Sequence, residues 1–332
     1  MNRQTVRWVL IAVGVLAFPH VSPAPLIYHQ GEGWSYEKPG ESGAWRKTRA
    51  KDQLEAAQEA FDKKDYGVAL KAARRTVQQW PLSDYAPEAQ FLVGRSLEEQ
   101  KQDEPAFKEY QKLVEKFPKC SKYQEVLQRQ FEIANRYLNG QWFKLWGYVP
   151  VFPFLTRDRV VKMYGELVKN GPYSDVAAEA QLKLGAAHEK YSEFSDAVKA
   201  YEKAADRYVD RKTVAADALF KAGLAYQKQA QTAEYDQGIA TKAISAFTDF
   251  MALYPNEPRV PEAQKIIDSL KTEQSRGAFE IAKFYEKRKQ WSGALVYYNE
   301  VLIKDPNSTY AAEAKQHIET LKARLGVESP QK

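Results

Sequence analysis

The chain repeats one short phrase of sequence, and that repetition limits the fold more than any other feature. It reads Pro81-Leu82-Ser83-Asp84-Tyr85-Ala86-Pro87-Glu88-Ala89, then Pro172-Tyr173-Ser174-Asp175-Val176-Ala177-Ala178-Glu179-Ala180, then Pro306-Asn307-Ser308-Thr309-Tyr310-Ala311-Ala312-Glu313-Ala314, with Pro255 to Ala263 as a looser copy. Proline lacks an N–H and clashes with the preceding turn, so it halts a helix. The polar residues behind it suit a turn and a helix cap, and Glu-Ala falls in the first turn of the next helix, where the helix dipole favours an acid. Punctuation of this kind, recurring along a chain, predicts helical hairpins stacked on one another. Such stacks bury their core between neighbours and offer long surfaces, which suits binding rather than catalysis.

With the terminal proline as anchor, Pro81, Pro118, Pro172, Pro255 and Pro306 close units, and Val209 stands where another proline would fall. Upstream of each anchor at fixed spacing lie Ala69, Ala106, Val160, Ala197, Ala243 and Ala294, followed by Ala73, Tyr110, Tyr164, Tyr201, Phe247 and Tyr298. A small residue followed by an aromatic one at that interval predicts the packing face of a second helix. Ala57, Gly94, Ala134, Gly185, Gly223 and Ala282 supply the matching small contacts on first helices. This arrangement resembles the tetratricopeptide (TPR) repeat. The expected fold is all-α, a TPR-type α-solenoid of about six hairpins closed by a capping helix from Thr309 to about Leu325. The expected organisation is a signal peptide over 1–24, an extended Gly/Pro/aromatic arm over 25–48, the solenoid over 49–325 and a disordered tail over 326–332.

The anchors are unevenly spaced. The third unit carries an insertion over 139–156 that holds Trp142, Phe143, Trp146, Tyr148, Phe152 and Phe154 and no acidic residue. The TPR template does not require these aromatics. Pro150 and Pro153 keep them from lining one helix, so they are expected either to fold back in part onto the third and fourth hairpins or to form a docking loop for a partner or a membrane surface. A long helical pattern from Pro261 to Arg288 precedes the last second helix. The concave face of such a stack is lined by first helices, so an extended peptide is expected to meet Lys51, Leu54, Phe61, Phe91, Arg95 and Glu98, with the inter-repeat core as the alternative place for Phe61 and Phe91.

The N-terminus predicts export. Arg3 and Arg7 precede an apolar run from Trp8 to Phe18 that is long enough for a signal-peptide core and too short to span a bilayer. Ser22 and Ala24 offer small residues for cleavage, and an uncleaved N-terminal anchor is the alternative. Cys120 is the sole cysteine, which leaves no intramolecular disulfide, no thiolate metal cluster and no lipid-attachment cysteine near the signal segment. The arm contains Gly31-Glu32-Gly33, a weak echo of a phosphate loop with no strand expected before it.

Forty-nine basic and 43 acidic residues are mixed along the chain for a net charge of +6, which argues against nucleic acid as a partner. The four histidines, His20, His29, His188 and His317, show no metal-ligand spacing, and no nucleophile motif is present. The chain therefore reads as a non-enzyme without a cofactor or metal. Asn307-Ser308-Thr309 matches a glycosylation acceptor and reads better as part of a helix cap.

The turn phrase, the run Gly277 to Trp291 and the hairpin that follows it, Ala294 to Pro306, resemble the outer-membrane β-barrel assembly factor BamD (ComL) family. Glu280, Ala282 and Tyr285 match that family's penultimate long helix with one shift in the glutamate spacing, and the insertion ending at Arg157-Asp158-Arg159 falls where the family carries one. The resemblance implies a periplasmic scaffold peripherally associated with the outer membrane. Its partners would be a BamA-like barrel assembly protein and the C-terminal signals of unfolded outer-membrane proteins. Typical members are anchored through a lipidated cysteine, so the chain reads as a non-lipidated variant held by protein contacts. A general periplasmic TPR adaptor for cell-wall or secretion complexes is the alternative.

Overall fold

The computed structural model describes residues 26–29, 33–36, 45–145, 149–150, 157–232 and 237–325. Their helices are α1 (Ala50–Asp62), α2 (Tyr66–Gln79), α3 (Ala86–Glu99), α4 (Asp103–Lys116), α5 (Tyr123–Leu138), α6 (Arg157–Asn170), α7 (Ala177–Lys190), α8 (Phe194–Arg207), α9 (Lys212–Thr232), α10 (Gln237–Leu253), α11 (Val260–Lys287), α12 (Trp291–Lys304) and α13 (Thr309–Leu325). Taken in pairs they give the six hairpins of an all-α, TPR-type solenoid, with α13 following the last pair. The chain divides into two compact units, residues 1–113 and 114–332, with the boundary inside α4.

In the first unit, α1 pairs with α2 and α3 with α4. Gly94 on α3 lies so close to Tyr110 of α4 that a Cβ there would sit 2.3 Å from the ring. The tyrosine is buried, and its hydroxyl donates to Glu98 Oε2 at 3.0 Å, one turn further along α3. Gln100 Nε2 donates to the Tyr66 carbonyl at 2.9 Å and ties the second hairpin to the first. The arm, in which no strand was expected before Gly31, carries two. Strands β1 (Leu26–His29) and β2 (Gly33–Tyr36) pair antiparallel with Leu26 opposite Tyr36. A strand therefore does precede Gly31-Glu32-Gly33, where none was expected, and Gly33 opens its antiparallel partner.

The second unit repeats the same device. Gly185 on α7 faces Tyr201 of α8, whose hydroxyl donates to Glu189 at 2.9 Å, and Tyr298 of α12 donates to Glu286 of α11 at 2.6 Å. Gly223 on α9 faces Phe247 of α10, which has no hydroxyl and needs no acceptor. In the α5/α6 hairpin Tyr164 donates instead to Asn135 Oδ1 at 2.6 Å. Burial removes these hydroxyls from water and a carboxylate stands beside them, so the Tyr201 and Tyr298 pKa values are pushed well above the ordinary tyrosine value.

Four first helices end on a residue in the left-handed region, Lys64 (φ 62), Lys101 (φ 61), Ser192 (φ 61) and Lys289 (φ 60). The next N–H reaches back five residues in each case: Asp65 to Ala60, Gln102 to Leu97, Glu193 to His188 and Gln290 to Tyr285. This is the Schellman closure, which satisfies carbonyls left free at a helix end. In the repeated turn phrase, Ser83, Ser174 and Ser308 each donate to the carbonyl three residues earlier, at 2.9, 2.7 and 2.9 Å. Only Ser308 also accepts from the following helix, from the Ala311 N–H at 3.2 Å, so the cap expected of this phrase operates fully in that copy. Arg259, at the looser copy, donates to Asp217 at 2.7 Å and Glu257 at 2.8 Å while covering the Phe220 ring at 4.8 Å. Helix α13 buries Ala311, Ala314, Ile318 and Leu321 in one cluster with Phe279, Tyr298 and Val301.

Candidate functional site

The peptide groove expected on the first two hairpins is only partly assembled. Lys51 is exposed, while Leu54 and Phe61 are half-buried on α1. Arg95 of α3 lays its guanidinium over the Phe61 ring at 5.3 Å and pairs with Glu99 at 3.7 Å. Phe61 meets Tyr66 edge-on at 5.3 Å. Phe91, by contrast, is only 5% exposed and packs towards Tyr110 with the ring centres 6.1 Å apart. It belongs to the core, because it sits beside the aromatic that closes its own hairpin. Glu98 is committed to the Tyr110 hydroxyl. What remains at the surface is an apolar-cationic strip of Leu54, Phe61 and Arg95 with Lys51 beyond it.

The aromatic insertion divides in the same way. Phe143 is 2% exposed and stacks on Tyr137 at 3.9 Å with an interplanar angle of 11°, and Arg159 covers it at 5.4 Å. This corrects its assignment to an exposed loop, since Tyr137 on α5 offers a ring on which it stacks. Trp142, next to it, is 47% exposed. Strands β3 (Lys144–Leu145) and β4 (Val149–Pro150) form a short antiparallel ladder within the insertion. Trp146, Tyr148, Phe152 and Phe154 lie outside the described residues.

A cleft of about 680 Å³ at the end of the chain, which the repeat pattern does not announce, is lined by Phe284, Glu286, Lys287, Trp291, His317 and Arg324 among others. Glu286 Oε2 accepts from Tyr298 and lies 2.9 Å from His317 Nδ1, while the His317 ring stacks on Tyr298 at 4.8 Å. Arg324 lies over Trp291 at 5.1 Å. The carboxylate, the imidazole and the phenol face one another and tie α11, α12 and α13 together. His317 was legible only as a residue of the terminal helix, because its partner Glu286 is far away in sequence. No group of metal-ligating side chains and no helix long and apolar enough to cross a membrane occurs among the described residues. Cys120 sits half-buried in the α4–α5 turn, its N–H bonded to the Phe117 carbonyl at 3.0 Å.

Comparison with known proteins places these features in a family. Residues 88–119 match the tetratricopeptide repeat, and residues 160–331 match the YfiO family of outer membrane lipoproteins. The chain is 22% identical over 157 residues to the outer membrane protein assembly factor BamD of Caulobacter vibrioides, a stretch of 47% of this chain that spans about half (51%) of the Caulobacter protein. Among solved structures it is similar to the C-terminal part of a TPR repeat-containing protein from Cytophaga hutchinsonii (14% identity, TM-score 0.36, covering 82% of this chain and 89% of that one). It is also similar to a tetratricopeptide repeat protein from Parabacteroides merdae (13% identity, TM-score 0.34, covering 82% and 98%). With more than half of its residues matched, the chain belongs to the YfiO family of outer membrane lipoproteins.

Proposed function

We propose that this chain is a periplasmic scaffold of outer-membrane protein assembly, binding a BamA-like barrel-forming partner and segments of unfolded outer-membrane proteins. The observation that carries the reading is the family match over 160–331, on a stack of helical hairpins. The Leu54, Phe61 and Arg95 strip is proposed to receive unfolded segments: its leucine and phenylalanine offer apolar contact and its guanidinium a partner for carboxylate or backbone carbonyl. Trp142 is proposed to dock the chain to its partner or to the lipid surface, since a half-exposed indole joins a large apolar face to a polar N–H.

The test is purification of the tagged chain from cross-linked envelopes. Recovery of a membrane barrel protein is expected, and recovery of cell-wall or secretion components without it would move the assignment to a general adaptor. Retention is proposed to rest on protein contacts, so urea washing without detergent should release the chain. Trp142→Ser is expected to weaken co-purification while leaving the melting temperature nearly unchanged. A large drop in melting temperature would show that Trp142 is structural.

A further inference from the structure

The outward face of the second helices changes character in the last hairpin. Two residues after Ala69, Ala106, Val160 and Ala197, the first packing position of each second helix, hairpins one to four carry an exposed lysine: Lys71, Lys108, Lys162 and Lys199. Seven residues further on they carry Gln78, Glu115, Lys169 and Asp206, also exposed. Hairpin five has the small residues Ser245 and Ala252 at these places. In hairpin six they are Val296 and Ile303 of α12, which are 63% and 79% exposed. Exposure of that size shows that neither side chain is spent on closing its own hairpin. A terminal repeat ordinarily presents a polar outer face to water, and here two β-branched aliphatic residues replace one.

The rest of that face continues the pattern. Leu295 and Leu302 are half-buried, and Ser292 and Asn299 are exposed. At 3.6 residues per turn, Leu295, Val296, Leu302 and Ile303 all fall within about 60° to either side of Asn299. The charges of α12 are Glu300 and Lys304, which lie outside this sector and pair with each other at 3.8 Å. Asn299 donates from Nδ2 to the Leu295 carbonyl at 2.7 Å, and an amide has a second hydrogen and an oxygen with which to meet a partner. The stripe therefore reads the same in both directions, with two aliphatic residues before and two after a central amide.

We propose that α12 is the seam of a homodimer, in which two copies of the chain lay their α12 helices antiparallel across a two-fold axis at Asn299. The symmetry brings Ile303 against Val296 of the other copy, Leu302 against Leu295, and the two Asn299 amides together, where each can donate to the other. A two-fold interface must be self-complementary, and a stripe that reads alike from either end meets that condition. A lipid surface would accept the aliphatic residues but would leave the central amide pressed into hydrocarbon without a partner, which is costly. A second copy supplies that partner, and a polar pair at the centre of a helix seam also fixes its register. The antiparallel arrangement sets the two helix dipoles in opposition. A seam this short buries less than the roughly 1,200 Å² of a stable complex, so the dimer should be weak, half-formed at roughly 10–100 μM. The inference goes beyond the assembly reading and is independent of it, since it concerns the purified chain alone.

The experiment is sedimentation equilibrium of the purified chain up to about 300 μM, with a monomer–dimer equilibrium expected. Val296→Lys combined with Ile303→Glu restores residue types that the earlier hairpins carry at these positions, so the melting temperature should hold while dimerisation weakens about tenfold or more. Cross-linking tests the register. In a Cys120→Ser background, Asn299→Cys should form a disulfide-linked dimer under mild oxidation. Val296→Cys and Ile303→Cys chains should cross-link to each other when mixed and poorly when each is alone. A monomer at the highest concentration would overturn the proposal, as would unchanged association in the Val296→Lys/Ile303→Glu variant. Efficient self-linking of Ile303→Cys would overturn the antiparallel seam. A monomeric chain that floats with phosphatidylethanolamine–phosphatidylglycerol vesicles, and loses them in the Val296→Lys/Ile303→Glu variant, would replace the second copy with a lipid surface.

Discussion

Glycine plays two opposite parts in this chain, and substitution separates them. At Gly185 an added Cβ would lie 2.4 Å from the Tyr201 ring, inside van der Waals contact, and the ring is held by its own hydrogen bond and cannot retreat. Gly185→Ala should therefore destabilise by about 1–3 kcal/mol, the usual cost of overpacking. Gly165 sits mid-helix with open space before it, so Gly165→Ala should stabilise by up to about 1 kcal/mol through helix propensity alone. Urea midpoints of the two variants should move in opposite directions. The hairpin turns give the converse case, in which Lys64, Lys101, Ser192 and Lys289 hold a left-handed conformation that glycine adopts without strain. Each change to glycine should add about 0.5–1 kcal/mol, and a loss at all four sites would show that the side chains contribute contacts that outweigh the strain. The sequence displayed Gly94 and Gly185 as helix contacts because small residues recur there. It did not display the left-handed turns, because lysine carries no signature of that conformation.

Between elements, a tyrosine hydroxyl bonded to a first-helix acceptor closes several hairpins, and such ties have a pH signature. Tyr226 of α9 makes the equivalent bond between hairpins, donating to Glu202 of α8 at 2.8 Å; it is pushed up to about 12 by burial and by that carboxylate, and Tyr164, Tyr201 and Tyr298 are raised as well. In the unfolded chain tyrosine titrates near about 10. Above that value the unfolded state gives up protons that the folded state keeps, so stability is intact below pH 10 and falls as pH rises through the folded values. The urea midpoint should hold steady to about pH 9.5 and then drop steeply. Tyr201→Phe and Tyr298→Phe should each cost about 1–2 kcal/mol at neutral pH and make the alkaline drop shallower. An equally steep drop in the double variant would place the titrating groups elsewhere. Sequence spacing revealed which tyrosines pack, but not their acceptors: Glu98, Glu189 and Glu286 look like any solvated acid on an amphipathic helix until the hairpin closes. The expected groove and loop divided for the same reason. Phe91 and Phe143 are apolar residues at positions open to either use, and the aromatic neighbours Tyr110 and Tyr137 drew them inward.

At the scale of the molecule the order of hairpins was legible because the turn phrase recurs, and the capping helix was legible because a stack must end. Partner surfaces were less so, since a solenoid uses the same residue types to bind its next repeat as to bind another protein. The cap offers a test of how the second unit holds together. Ile318 and Leu321 of α13 are buried against Tyr298 and Val301 of α12 and Phe279 of α11. Replacing both with alanine should cost about 4–8 kcal/mol, from lost transfer energy and the cavities left behind. In a quasi-one-dimensional stack each hairpin is stabilised chiefly by its neighbours, so the loss should stay near the end. Hydrogen exchange of the double variant should accelerate first in α11, α12 and α13 while α7 and α8 keep their protection. Uniform loss of protection from α5 to α13 would show instead that the unit unfolds as a single cooperative block. In that case the long α11, which carries both the Ala263 and Ile267 contacts with Phe247 and Phe250 and the Phe279 contact with the cap, would be the element that transmits the damage.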